Sequence, residues 1–441
     1  MWSDFWFALR QWRRNKALAG VIVLLLGVGI GANTLIFSFI DAVLLKPLPV
    51  RDPQNLFAVN KIRAGEWRPD IPFTSSFFYP VFKKLQARKD LFSSAIAEEE
   101  WTRSSFMPLD TGGTVKMVST QVISPNYFSD LNVHSILGRV LLPSDANASN
   151  VPAVISYQFW HSHFNGDPNV LDRSLRLKNY SFRIVGVLPR DFHGVDVDRS
   201  PDIRLPISSV PILTGHTVFN PKPSNLLRFQ VQVRLAPHVT PASVGGAVTR
   251  LARIEQAAIA HFLFRESGNR LPPAELNRII QRRTNYRVSL QAIPRGASME
   301  RGRFFAALYA SMAAVGLLLL AVCASVAGLL FARAERRRQE IAIRAAVGAS
   351  RAQLLRQFFV EHLLLALPGA SLGILFAYAV APMLLHLLPK VREIVPMYAT
   401  PEVIEVSLDK GVLCFTIAVA FVSVFLSGMV PALREARAGL T

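Results

Sequence analysis

The densest group of metal-ligating residue types in the sequence is HSHFNGD, which sets His161 and His163 two positions apart and Asp167 just beyond them. On a strand, residues i and i+2 share a face and both imidazoles could reach one ion, whereas on a helix they diverge. The surrounding VPAVISYQFWHSHF (151–164) reads as a strand followed by a helix, so a surface or packing role is expected for the two histidines. A second group, Glu98, Glu99 and Glu100, has the residue type for acid–base work, but three adjacent carboxylates are expected to form a solvated face. No G-x-x-x-x-G-K-[ST] occurs, so the chain has no phosphate-cradling loop of that kind. G-x-S-x-G, H-E-x-x-H and C-x-x-C are also missing.

With little covalent chemistry on offer, the elements themselves carry the reading. Of the 441 residues, 51% are hydrophobic and 18% charged, which suits neither an ordinary soluble protein nor a pure membrane bundle. Membrane spans plus one soluble domain are predicted. Runs free of Asp, Glu, Lys and Arg cover Ala17 to Ile40, Phe304 to Ala332, Leu363 to Leu385 and Gly411 to Leu433. Each reaches the roughly 20 residues a bilayer requires. The first is too long for a signal-peptide core and lacks a small-residue cleavage site after it, so it reads as an anchor. Cys323 and Cys414 both fall inside such runs and read as small membrane-helix residues.

The flanks orient the spans. Arg10, Arg13, Arg14 and Lys16 precede the first, and Arg333, Arg336, Arg337, Arg338, Arg344, Arg351 and Arg356 lie between the second and third. The loop between the third and fourth is mildly acidic. Positive-inside counting therefore puts both termini and the 333–356 loop in the cytoplasm. The expected layout is a cytoplasmic amphipathic N-terminus (1–16), a first span (17–45), an extracytoplasmic domain (46–303) and a second span (304–332). A cytoplasmic coupling helix and turn (333–356), a third span (357–388), a short outer loop (389–410), a fourth span (411–433) and a tail (434–441) complete it.

The segment 46–303 holds 33 Lys and Arg against 20 Asp and Glu, so most of the chain's positive excess is extracytoplasmic. Anionic lipid, wall polymer or an acidic partner would suit that charge, although composition alone would also produce it. FRIVGVLPRDF (182–192) and RFQVQVRLAP (228–237) alternate as strands do, and TPASVGGAVTRLARIEQAAIAHFLF (240–264) is apolar at helical spacing with Thr240 as N-cap. Proline, glycine and asparagine around 143–152 and 199–225 mark loops. An α+β domain is predicted.

Within the spans, Gly27 and Gly31 form a G-x-x-x-G that Thr34 and Ser38 continue, and Gly369 and Gly373 repeat the spacing in the third. Small residues at this period let helix backbones approach closely in lipid, either within one subunit or at a dimer seam. Asn33 and Asp41 lie two turns apart on one face, with Asp41 at the outer end, where exposure near headgroups is expected.

Residues 336–347 are expected to form a helix whose basic start disfavours its own dipole, so an external group must want the charge there. Gly348 is set as a C′ residue in a left-handed conformation, and Ser350 caps the next helix. Two rods joined at one tight corner suit a coupling element, with Arg336, Arg337 and Arg338 as anchors and Glu340, Ile341 and Arg344 as the contact face.

RRRQEIAIRAAVGASRAQLLRQFFVEHLLL (336–365) closely resembles the cytoplasmic segment of the MacB/FtsX-type ABC permease family. GIGANTLIFSFIDAVLLKPLP (29–49) resembles that family's first span and exit. VISPNYFSDLNVHSILGRVLLPSD (122–145) and FNGDPNVLDRSLRLKNYSFRIVGVLP (164–189) resemble its periplasmic core. The resemblance implies a permease subunit that binds no cofactor itself and takes the energy of ATP from a separate ABC ATPase. It implies pairing, as a homodimer or with a second permease unit, in the lipid of a bacterial inner membrane. A periplasmic adaptor and an outer-membrane channel are further implied partners, and nucleic acid is not. Export of periplasmic substrates is the expected activity; the alternative is a transmembrane regulator or scaffold for a cell-wall hydrolase, with no cargo. A membrane-tethered enzyme is disfavoured by the missing catalytic constellation.

Overall fold

The structure is a computed structural model and describes residues 12, 15–62, 75–100, 106–110, 115–147, 151–178, 180–197, 200–214, 227–266, 272–298, 301–336, 351–387 and 409–438. The chain divides into a helical unit drawn from both ends of the sequence and a second unit that holds Pro47–Gly302. The first helix, α1, runs Lys16–Ile40 and widens into a π-helical turn at Asp41–Leu45 before the chain becomes extended at Lys46.

The inserted unit is α+β. Its strands are β1 (Leu56–Ile62), β2 (Ser76–Phe78), β3 (Phe92–Glu99), β4 (Phe106–Asp110), β5 (Val115–Ile123), β6 (Leu137–Gly138), β7 (Pro152–Ile155), β8 (Ser174–Leu177), β9 (Tyr180–Val187), β10 (Ile203–Pro206), β11 (Arg228–Leu235) and β12 (Arg287–Ala292). Between them lie α2 (Tyr79–Ala87), α3 (Tyr127–Leu131), α4 (Tyr157–Phe164), α5 (Val210–Thr214), α6 (Pro241–Glu266) and α7 (Pro273–Thr284).

The strand pairings close a ring of six, β4, β5, β10, β7, β9 and β8, because β10 pairs antiparallel with β7 and parallel with β5. Alternation fills this small barrel: Leu109, Val118, Ala153, Ile155, Leu175, Leu177, Phe182, Ile184, Ile203 and Leu205 share one apolar core. Beyond β5 the sheet continues open through β3, β11, β1 and β12. One face of that open sheet is covered by α2 and α6, through Val81, Phe82, Leu85, Val244 and Val248. Its other face shares a layer with the outside of the barrel: Ala58 and Ile96 pack with Ile123, Val154 and Val185, and α3 fits there by Tyr127, Phe128 and Leu131.

One expectation is corrected here. The stretch 199–225 contains β10, the strand that closes the barrel, although its prolines mark it as loop. Only four residues are involved, and Pro206 ends the strand, where loss of an N–H costs one ladder bond at most. At α6, Thr240 holds the N-cap position: its carbonyl accepts from the Ser243 N–H at 3.1 Å and its own N–H donates to the Ser243 hydroxyl at 3.3 Å.

The helical unit continues with α8 (Arg301–Arg336), α9 (Arg351–Leu387) and α10 (Lys410–Ala438). Among the described residues four helices are long and apolar enough to cross a membrane, α1, α8, α9 and α10, with mean hydropathies between 2.0 and 2.6. The chain is thus a membrane protein with four transmembrane α-helices and an α+β domain inserted between the first and second.

Phe182 is fully buried inside the barrel, whereas Val115 on β5 is 71% exposed. In denaturant unfolding of the purified chain followed by tryptophan fluorescence, Phe182→Ala should cost about 3–5 kcal/mol. Val115→Thr should stay within about 0.5 kcal/mol.

Candidate functional site

In the helical unit α1 is the element that the other three share, and its side chains change character from one neighbour to the next. Towards α9 it offers glycine. A Cβ built on Gly31 would stand 2.9 Å from the Gly373 carbonyl oxygen and 3.0 Å from its Cα; one on Gly373 would stand 2.9 Å from the Gly31 nitrogen. Gly27 lies against Leu372, and Gly369 against the Leu26 Cβ. All four glycines singled out by spacing therefore meet in one intrachain interface, where backbone packs on backbone. That face is occupied within the chain.

Towards α8 and α10 the same helix offers polar groups. Asn33 Nδ2 donates to the Gly29 carbonyl and, across the interface, to the Val315 carbonyl of α8, both at 2.9 Å. The Thr34 and Thr416 hydroxyls meet at 3.0 Å between α1 and α10, and the Phe37 and Phe415 rings stack with centroids 3.9 Å apart. Thr34 and Ser38 also bond back to the carbonyls four residues earlier, at 2.9 and 2.8 Å, so each hydroxyl is satisfied inside the apolar layer. Cys323 on α8 is buried against the Ser423 carbonyl of α10, and Cys414 is exposed. Asp41 differs from expectation: it is half-buried with its carboxyl beside that of Asp409, at the start of α10. Eight residues of α-helix leave the two side chains about 80° apart, so Asn33 faces α8 while Asp41 faces α10.

The coupling residues Arg337, Arg338, Glu340, Ile341, Arg344, Gly348 and Ser350 lie outside the described residues. Arg336 is the last residue of α8, and Arg351 opens α9.

In the inserted domain His161 and His163 sit on α4, which Ser156 caps through the Phe159 N–H at 3.1 Å. His161 packs on Tyr157 and Trp160, while His163 stacks on Phe159 with centroids 4.9 Å apart. Asp167 instead caps the following turn through the Asn169 N–H and pairs with Arg173. Among the described residues no three His, Cys, Asp or Glu could hold one metal ion.

The acidic run overturns its expectation. Glu98 and Glu99 are buried, and only Glu100 keeps a water-facing position, 3.7 Å from Arg228. Glu98 accepts from the Tyr127 hydroxyl at 2.8 Å, from Gln232 at 2.9 Å and from Gln121 at 3.4 Å, and the fully buried Arg204 of β10 lies in the same cluster. Burial raises the Glu98 carboxyl, against the lowering pull of these bonds and of Arg204. Among the described residues Glu99 accepts from the Val122 N–H, at 3.1 Å, and burial pushes its carboxyl to about 7. Arg204, Tyr127 and Gln232 escaped the sequence reading. The available signal was a single arginine inside the apolar strand IRLP and acids adjoining the apolar run AIA.

The comparisons with known proteins divide the chain in the same way. Residues 19–251 match the MacB-like periplasmic core domain, and residues 312–439 match the FtsX-like permease C-terminal domain. The chain is 20% identical over 317 residues, 69% of its length, to the macrolide export ATP-binding/permease protein MacB of Bartonella henselae, of which it covers 42%. It is 25% identical over 252 residues, 56% of its length, to the pyoverdine export ATP-binding/permease protein PvdT of Pseudomonas aeruginosa, of which it covers 32%. It thus spans less than half the length of these curated relatives. Among solved structures, the periplasmic region of MacB from Actinobacillus actinomycetemcomitans aligns with a TM-score of 0.35 and 16% identity, over 46% of this chain and 85% of that one. A domain of a putative permease protein from Porphyromonas gingivalis aligns with a TM-score of 0.36 and 18% identity, over 56% of this chain and 94% of that one.

The glycine interface predicts an asymmetric response to added methyl groups. Gly31→Ala and Gly373→Ala should each destabilise the detergent-purified chain by about 1–3 kcal/mol, because backbone must shift to admit the Cβ. Gly316→Ala and Gly328→Ala meet nothing within 4 Å and should be neutral or slightly stabilising in thermal unfolding, since alanine favours helix.

The Glu99 carboxyl binds its proton more tightly in the folded domain than in the unfolded chain, where 4.5 is usual. It therefore adds stability at low pH that is lost as pH rises through about 7. Glu99→Gln keeps an oxygen for Val122 and removes the titration. Stability measured from pH 5 to pH 8 should fall less steeply in the variant, by at most about 3 kcal/mol.

Proposed function

The chain belongs to the MacB/FtsX-type ABC permease family, and from that premise we propose that it transmits ATP hydrolysis by a separate ABC ATPase to its extracytoplasmic domain, driving export of periplasmic substrates across a bacterial cell envelope. It is a multi-pass ABC-type permease subunit. The observation that carries the proposal is the order of the two family matches: the periplasmic-core match takes in α1 and most of the inserted domain, and the permease match takes in the last three spans. In this reading nucleotide binds on the ATPase, at the cytoplasmic face of the inner membrane, and the 441 residues contain no G-x-x-x-x-G-K-[ST].

The helix junction supplies a mechanical route for this reading. The segment 337–350 joins two long rods, α8 and α9. A push on it is delivered to the foot of α9. From α9 the displacement passes to α1 through the backbone contact at Gly31 and Gly373, which has no side chain to yield. α1 then leads directly into the inserted domain at Lys46. In this role Arg336, Arg337 and Arg338 anchor the connector at headgroups or acidic partner groups, Glu340, Ile341 and Arg344 face the ATPase, and Gly348 and Ser350 form the corner. Export is favoured over control of a wall hydrolase because both curated relatives carry export in their names.

The test uses the tagged full chain with the ATPase that copurifies with it, reconstituted in lipid vesicles. The chain alone should hydrolyse no ATP. Gly348→Val should reduce hydrolysis to the level of the ATPase alone while insertion is unchanged, because a β-branched residue resists positive φ. Glu340→Arg should do the same by reversing charge on the contact face. Silent variants at both positions would refute the coupling role, and a captured wall hydrolase in place of an adaptor or channel would favour regulation.

A further inference from the structure

Strand β5 serves two structures at once. It pairs with β4 over five residue pairs and with β10 over four, inside the barrel, yet it pairs with β3 of the open sheet only at Glu98 and Ile123. Next to that single pair one further backbone bond runs from the Ser124 N–H to the Ala97 carbonyl at 2.8 Å, and side chains supply the rest of the ladder. Ser124 Oγ accepts from the Ala97 N–H at 3.0 Å, and Glu99 accepts from the Val122 N–H at 3.1 Å. A second tie joins the loop after β9 to the segment after β12, where Asp196 and Ala297 form an isolated bridge. Between these ties lies the buried cluster. Glu98 and Gln232 belong to the open sheet, and Tyr127 rides with it because α3 is fastened by Asn126 to the Ala95 carbonyl and by the Arg51 N–H to the Leu131 carbonyl. Arg204 belongs to the barrel, and Gln121 to the shared strand.

The cluster is only partly satisfied. Arg204 Nη2 donates to the His193 carbonyl, while its Nε and Nη1 have no hydrogen-bond partner among the described residues. Gln121 Oε1 and Gln232 Oε1, two acceptors in the same buried cluster, are likewise unpartnered. Tyr127 meanwhile spans the seam, donating to Glu98 and accepting from the Val195 N–H at 3.2 Å. A buried network with unused donors on the barrel and unused acceptors on the shared strand and the open sheet is costly as it stands.

We propose that Glu98, Tyr127, Gln232 and Arg204 form a two-position latch at which the barrel separates from the open sheet, so that the extracytoplasmic domain flexes at this seam. The two ties mark where the two sides stay joined, and the buried polar cluster between them, bridged by Tyr127 from Glu98 to the Val195 N–H, decides how long they stay closed. The inference rests on the reading that this domain moves during the transport cycle, but its test needs neither nucleotide nor partner, so the two can fail separately.

Hydrogen exchange of the full chain in lipid nanodiscs reads the latch directly. In the unmodified chain the seam amides of Val122, Ser124 and Val195 should exchange at least about tenfold faster than those of β8 and β9. Arg204→Met leaves Glu98 without its opposite charge and should accelerate the seam amides about tenfold further, with the barrel amides unchanged. Glu98→Gln/Arg204→Met, which removes both charges, should recover most of the protection. Should Arg204→Met fail to fold, Glu98→Gln alone, which keeps the shape and weakens the pull on Arg204, should show the same selective acceleration. Equal exchange of seam and barrel amides in the unmodified chain, or acceleration spread evenly through the domain in the variants, would overturn the latch.

Discussion

Glu98 has lost contact with water, and three hydrogen bonds and a buried arginine hold its carboxylate in place. Taking a charge out of water costs several kcal/mol unless partners meet it, so the residues around it are tightly constrained. Tyr127 must stand where α3 puts it, Gln232 must face the same side of β11 as its neighbours on β3, and Arg204 must come from the strand that closes the barrel. The cluster thus fixes how barrel and sheet share β5, and with it the register of the domain's middle strands.

The membrane part answers the same constraint in a drier solvent. Its helices satisfy their own backbones, so what remains is the contact between them and the fate of a few polar side chains. Along α1 the two needs fall on different faces. Glycine faces α9, where close backbone approach maximises dispersion contact. Asn33 and Thr34 face α8 and α10, where a carbonyl and a hydroxyl receive them. A helix joined by backbone contact on one side and by exchangeable hydrogen bonds on the others can move with one neighbour while re-pairing with the rest. That division suits the displacement proposed for this permease subunit.

Much of this architecture was legible in one dimension. The spans were, because about 20 residues without charge have few other uses, and so was the α+β character, because periods of 2 and 3.6 are visible in the apolar positions. The paired glycine motifs announced close packing but not its partner, since spacing gives a face and says nothing of what lies opposite. Strand β10 was missed because four residues between prolines carry no periodicity. The acids of β3 were misread because the groups that receive them lie far off in sequence, Arg204 and Gln232 for Glu98 and the Val122 N–H for Glu99.

By itself, then, the sequence determined the solvent of each segment: free energies of transfer add along a chain, so apolar runs enter lipid and mixed ones fold in water. It also determined which residues could approach closely, because the lack of a side chain is a local property. Only the tertiary structure decided which groups meet. That Gly31 faces Gly373 inside the chain, that Asn33 reaches Val315, and that Glu98 is buried opposite Arg204 each follow from pairings between distant segments. Those pairings are fixed by the simultaneous packing of every other element, which no local pattern encodes.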